Sequence, residues 1–141
     1  IEKGLQNVKK NTNLKGRWQI LQEKPKVICD TGHNKEGLTH VIHQLLQEKY
    51  RTLHIVMGVV SDKKMEEILP LFPKDAKYYF CTQNILRGLA SEKLKEQASR
   101  YGLLGIHYDS VIQSYNKALK TAENNDVIFV GGSTFTVAEI L

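Results

Sequence analysis

Short apolar runs alternate with amphipathic stretches along most of the chain. Residues 26–30, 53–60, 78–81, 106–108 and 127–130 are strand-length blocks rich in Val, Ile, Phe and Tyr, and such near-continuous apolar runs predict strands buried on both faces of a sheet. Between them, Leu38, Val41, Ile42 and Leu45 recur at i, i+3, i+4 and i+7, the stripe of a helix that covers a core, with Asn34 ahead of it as a capping type. Met65, Ile68, Leu69 and Phe72 mark a shorter helix before Pro73, with Ser61 and Asp62 as its capping residues. A third helix over residues 91–101 is expected to stop at Gly102. A fourth, capped by Asp109 or Ser110, turns Val111, Ile112, Tyr115, Ala118, Leu119 and Ala122 inward. Five strand-then-helix steps predict an α/β, Rossmann-like three-layer domain with a mostly parallel sheet.

Ahead of these steps, residues 16–21 read as one more strand, joined to the strand at Val27 through Glu23-Lys24-Pro25. So short a connection suits an antiparallel hairpin, because a parallel crossover needs a dozen or more residues. Residues 1–14, polar and rich in Lys and Asn, read as a linker or lead-in, leaving residues 15–141 as the folded unit. A chain of 141 residues holds one ordinary domain, and a sequence opening on Ile1 is expected to be a piece of something longer.

Composition narrows the class further. Hydrophobic residues make up 41% and charged residues 25%, which excludes disordered, collagen-like and coiled-coil readings. No run reaches the roughly 18 apolar residues of a membrane span, and no signal-peptide pattern opens the chain. Cys29 and Cys81 each sit in an apolar run, where a free thiol behaves as a small hydrophobe, so a reducing, cytoplasmic setting is expected. The net charge of +5 invites a nucleic-acid reading, but residues 1–26 hold seven cations against two anions while the thirteen cations after them meet thirteen anions. A nucleic-acid domain spreads cations over its folded face and interleaves aromatics with them, so no nucleic-acid partner and no membrane partner is expected.

In an open parallel sheet ligands bind beyond the carboxyl ends of the strands. The residues there are Asp30-Thr31-Gly32-His33-Asn34, Gly58 through Ser61-Asp62-Lys63, Thr82-Gln83-Asn84 with Arg87-Gly88, Tyr108-Asp109-Ser110, and Gly131-Gly132-Ser133-Thr134. They form a polar, glycine-rich rim suited to an anionic ligand. The phosphate-binding patterns GxxxxGK[ST] and GxGxxG are missing. Gly131-Gly132-Ser133-Thr134-Phe135 falls one residue short of a nucleophile elbow, since Phe135 replaces the last glycine. Ser133 therefore reads either as a helix cap or as a hydrolase nucleophile served by His33 or His107. Asp30 reads either as a turn residue making an Asx bond or as a ligand contact. Lys63 reads as a solvated first-turn lysine or, against the helix dipole, as a recruited cation. His40 and His43 at i, i+3 lack Cys, Asp or Glu companions, so no metal site is expected.

Taken in order, Gly16-Arg17, Asp30-Thr31-Gly32-His33-Asn34, Met57-Gly58 through Ser61-Asp62-Lys63, and the closing Gly131-Gly132-Ser133-Thr134-Phe135-Thr136-Val137-Ala138-Glu139 resemble the C-terminal domain of folylpolyglutamate synthase/dihydrofolate synthase, in the Mur ligase superfamily. That family's pattern is GR, a D-G-A-H-N turn, a G-x-x-x-D-K loop and a closing G-S-x-x-x-V-x-E. Thr31-Gly32 departs from it, as do Arg87-Gly88-Leu89, where Pro-Arg-Ala is frequent, and Thr134-Phe135 at the close. The resemblance implies an ATP-dependent ligase that adds L-glutamate to folate or dihydropteroate through an acyl phosphate. It implies a monomer whose ATPase part, with the Mg²⁺ ligands, lies in an N-terminal domain outside these residues, so this chain alone is expected to be inactive. It further implies that Arg17 reaches the ATP phosphates, that Asp30, His33 and Asn34 serve the nucleotide, and that Lys63, Asp62 and Ser133 receive glutamate. The competing reading is a stand-alone α/β module that binds a phosphorylated small molecule.

Overall fold

The computed structural model describes residues 18–32, 34–61, 64–86, 88–132 and 134–140, without the side chains of Thr134 and Phe135. Its strands are β1 (Gln19–Glu23), β2 (Lys26–Cys29), β3 (Leu53–Met57), β4 (Lys77–Cys81), β5 (Gly105–Tyr108) and β6 (Val127–Gly131). Its helices are α1 (Lys35–Leu45), α2 (Met65–Ile68), α3 (Ser91–Ser99), α4 (Val111–Thr121) and α5 (Thr134–Ala138), with a 3₁₀ turn at Leu69–Leu71.

One sheet has the order β1-β2-β6-β3-β4-β5. The β1–β2 pair is antiparallel, with Gln19 opposite Cys29 and Glu23 opposite Lys26, and the other pairings are parallel. The predicted hairpin and the mostly parallel α/β sheet are both present.

Alternate side chains of the central strands feed two cores. Ile28, Ile55, Met57, Tyr78, Phe80 and Phe129 pack under α1, α2 and α3, through Leu38, Val41, Ile42, Leu45, Ile68 and Leu94. Val27, Cys29, Val56, Tyr79, Cys81, Ile128 and Val130 pack under α4 and α5, through Val111, Ala118 and Val137. Both faces being covered is the physical reason these strands lack polar alternation.

Local signals mostly act where the sequence places them. Asn34 caps α1, its Oδ1 accepting from Gly37 N at 2.7 Å, Ser110 caps α4, its Oγ accepting from Gln113 N at 3.1 Å, and Gly102 follows α3 at φ +81°. Two expectations fail. The segment from Met65 makes only a four-residue α2, begun after Lys64 with no side-chain cap, because Pro70 lacks the N–H an α-helix needs and the chain tightens to 3₁₀. Ile112, expected inward on α4, is 44% exposed. The inward line instead includes Ser114, fully buried with its hydroxyl donating to Val111 O at 2.9 Å.

Candidate functional site

Parallel strands that share a register end on the same edge. Cys29 lies beside Val130, Gly131 beside Met57 and Met57 beside Phe80, so the segments after β2, β6, β3 and β4 converge into one rim. Of the residues singled out from the sequence, Asp30 and Asn34 are described there. Arg17, His33, Asp62, Lys63 and Ser133 lie outside the described residues, as does Arg87.

Asp30 is only 7% exposed, and each carboxylate oxygen accepts a backbone N–H: Oδ1 from Gly32 at 2.7 Å and Oδ2 from Trp18 at 2.8 Å. The first bond closes the Asx turn that opens the β2–α1 loop. The second fastens the start of β1 to the end of β2. The Cys29 thiol beside it is pushed up to about 12, chiefly by burial and then by the Asp30 charge. Asn34, whose side chain is exposed, is committed to capping α1 through Gly37 N.

Beneath the rest of the rim lies a hydrogen-bonded junction of three loops. Gln83, just past β4 and 2% exposed, donates from Nε2 to Thr136 Oγ1 at 2.7 Å, and Thr136 donates to Gly58 O at 2.8 Å. Gln83 Nε2 also lies 3.4 Å from Gly58 O. Its Oε1 is buried without a hydrogen-bond partner among the described residues. Around this junction Leu89 N donates to Val59 O at 3.0 Å, Val60 and Gly88 form an isolated antiparallel bridge, and Glu139 Oε2 accepts from Asn84 N at 2.8 Å.

Glycine permits the close approaches. A Cβ on Gly88 would come 2.6 Å from Gln83 O, and one on Gly132, at φ +100°, would come 2.8 Å from Gly58 O. Reasoning from sequence placed Gln83 in the rim without singling it out and passed over Thr136. The usable signal was a polar amide directly after an apolar strand, and for Glu139 its place in the closing motif.

Other titratable groups stand apart from this rim. His107 sits on β5, and β4 and β3 separate β5 from β6. At about 4.8 Å per strand that puts it roughly 14 Å from the end of β6, too far to serve as base for a residue there. Its Nδ1 instead lies 3.5 Å from Ser91 Oγ. His40 and His43 are exposed on α1. Among the described residues no group of three or more His, Cys, Asp or Glu side chains could hold a metal ion, and no helix is long and apolar enough to cross a membrane.

A groove of about 750 Å³ opens at the opposite, amino-terminal edge of the sheet, between residues including Lys26, Glu48, Arg51, Asn125 and Asp126. Of its charged residues, Lys26, Glu48 and Asp126 are engaged with protein partners. Lys26 Nζ pairs with Glu48 at 2.8 Å, while Asp126 accepts from Thr52 N at 3.2 Å, Glu123 N at 3.0 Å and His54 Nε2 at 2.8 Å. On the other side of the ring, His54 Nδ1 lies 2.8 Å from the Tyr79 hydroxyl. Burial raises the Tyr79 pKa, which keeps that hydroxyl protonated. This is a structural network, and the strand-end rim is the candidate site.

The family model described as "Mur ligase, glutamate ligase domain" matches residues 16–134. The dihydrofolate synthase/folylpolyglutamate synthase of Escherichia coli (strain K12) is 30% identical over 131 residues, covering 91% of this chain and 30% of that protein. Its counterpart from Haemophilus influenzae is 30% identical over 122 residues, covering 82% of this chain and 28% of that protein. Among solved structures, E. coli FolC in complex with DHPP and ADP superimposes with a TM-score of 0.81 at 29% identity, over 89% of this chain and 30% of that one. The bifunctional enzyme with Mn, AMPPNP and L-glutamate bound superimposes with a TM-score of 0.78 at 25% identity, again over 89% of this chain and 30% of that one. The chain thus spans less than a third of the length of these relatives.

Proposed function

This chain belongs to the Mur ligase glutamate ligase domain family, and from that premise we propose that it is the amino-acid-receiving half of an ATP-dependent ligase that adds L-glutamate to folate or dihydropteroate. The observation that carries the reading is the match over residues 16–134, which falls on the strands whose carboxyl ends converge into the rim. In this reading residues 15–141 are one domain of a longer enzyme, and the ATPase portion and Mg²⁺ ligands lie in another.

The described rim residues do not form a divalent-cation site, so no step is assigned to a metal here. For the nucleotide, Asp30 offers a rigid carboxylate whose Oδ2 holds the N–H of the residue next to Arg17. That arrangement fits a mount for a phosphate-facing arginine. When bound, ATP with Mg²⁺ supplies the phosphoryl group that turns the acceptor carboxylate into an acyl phosphate. Arg17 offsets the negative charge that builds on the phosphoryl oxygens, where a preoriented cation acts most strongly. Lys63 and Ser133 hold the carboxylates of glutamate, with Asp62 and the glycine-rich β6 loop shaping the pocket, so that the amine faces the acyl carbon. His33 and Asn34 complete the loop on the nucleotide side.

The experiment is ATP- and folate-dependent incorporation of labelled L-glutamate by the complete polypeptide. Arg17→Ala and Lys63→Ala are expected to lower kcat/KM by about 10²-fold or more. Turnover near wild type in both variants would reject the site assignment, and no glutamate incorporation by the unaltered polypeptide would reject the activity.

A further inference from the structure

We propose that Gln83 is a positioning residue for the glutamate site: through Thr136 it locks together the three loops that carry Lys63, Arg87 and Ser133. The inference rests on the ligase reading above. Each loop leaves a different strand, β3, β4 or β6, and local sequence cannot set their spacing. The chain Gln83 Nε2 to Thr136 Oγ1 to Gly58 O, at 2.7 and 2.8 Å, has one member in each loop or the short helix that follows it. The Gly58 end starts the loop to Lys63, the Gln83 end starts the loop to Arg87, and Thr136 follows Ser133 by three residues.

The orientation of the amide is determined by its neighbours. With its only proton on Gly58 O, Thr136 accepts from Gln83; reversing the amide would set Oε1 against Thr136 Oγ1 and beside Gly58 O, where the one hydroxyl proton could serve only one of the two acceptors. The consequence is an acceptor, Oε1, buried with no partner among the described residues. For stability alone this is a poor choice, because an unsatisfied buried acceptor cancels much of what one hydrogen bond contributes. Methionine would fill the same space with no orphan. An amide that is close to neutral for stability, yet joins three rim loops, two of which carry the residues assigned to glutamate, has its effect on loop geometry.

That separation makes the test decisive. Gln83→Met removes the Gln83–Thr136 bond and the orphaned acceptor together while the Thr136–Gly58 bond stays, so its Tm is expected within about 3 °C of wild type. In the complete polypeptide its KM for L-glutamate is expected to rise about tenfold or more, with KM for ATP within about twofold. Thr136→Val should repeat the effect, and Thr136→Ser, which keeps the hydroxyl, should restore a KM within about threefold of wild type.

An independent readout needs no turnover. Amide hydrogen exchange at Leu89 and Asn84 should quicken about tenfold in Gln83→Met and Thr136→Val but not in Thr136→Ser. Unchanged exchange would overturn the proposal whatever the enzyme does. So would an unchanged KM for glutamate in a Gln83→Met enzyme that still ligates. An unaltered polypeptide without glutamate-dependent turnover would instead sink the ligase reading, while the exchange result would still show whether the three loops are tied.

Discussion

The backbone N–H of Trp18 donates to Oδ2 of Asp30 at 2.8 Å, across twelve residues of sequence. Trp18 sits at φ +41°, a region that a bulky residue occupies only when its surroundings hold it there. The Asp30 carboxylate is part of that hold, because its other oxygen is anchored by Gly32 N. Asp30→Ala strands both donors and frees the lead into β1. Destabilisation by about 2–3 kcal/mol in urea unfolding is expected, with protease sensitivity appearing first near Trp18. A loss below about 0.5 kcal/mol would show that the hairpin holds itself.

Gly132 is a second point where backbone and space are both restrictive. A Cβ there meets Gly58 O at 2.8 Å with φ at +100°, so Gly132→Ala is expected to destabilise by about 2–3 kcal/mol. Relief requires the β6 loop to shift away from Gly58, so glutamate-dependent turnover of the complete polypeptide should fall as well. Wild-type stability and activity together would mean that the loop gives way freely.

At the opposite end of the sheet, Asp126 provides a pH-dependent element. Burial works to raise its pKa, but the Glu123 N–H, His54 and the Thr52 N–H outweigh that effect and hold it below the ordinary aspartate value. A carboxylate whose folded pKa is depressed contributes stability that is complete above the unfolded value and is lost as pH falls through the folded one. Asp126→Asn should therefore cost about 2–3 kcal/mol at neutral pH, with the gap to wild type closing as pH falls below about 4. Urea midpoints measured from about pH 7 down to about pH 3 would decide it, and a gap that failed to close below about pH 4 would contradict the assignment.

The two thiols offer a chemical check on the core. Cys29 is pushed up to about 12 by burial and by Asp30, and Cys81 up to about 12, mainly by burial. Thiolate is the reactive form, so at pH 8 both should resist a thiol reagent in the native protein and react together on unfolding. Rapid labelling of either under native conditions would show that its layer opens locally.

Determinants within a few residues of one another were legible. The apolar runs named the five parallel strands, Asn34 and Ser110 sit three residues before the amides they cap, and Gly102 follows α3 at positive φ. Misreadings arose where apolarity stood in for geometry. Ser114 is fully buried because its hydroxyl satisfies itself on Val111 O, while apolar Ile112 points outward. Asp30 was open between a turn and a ligand role, and the bond that defines its place comes from Trp18, outside its own loop. Gln83 and Thr136, 53 residues apart, gained significance only when β6 was inserted between β2 and β3. Periodicity and capping are properties of consecutive residues, so sequence alone determined the elements and the rim's composition. Strand order, register and the convergence of loops depend on packing between distant segments, and those only the tertiary structure decided.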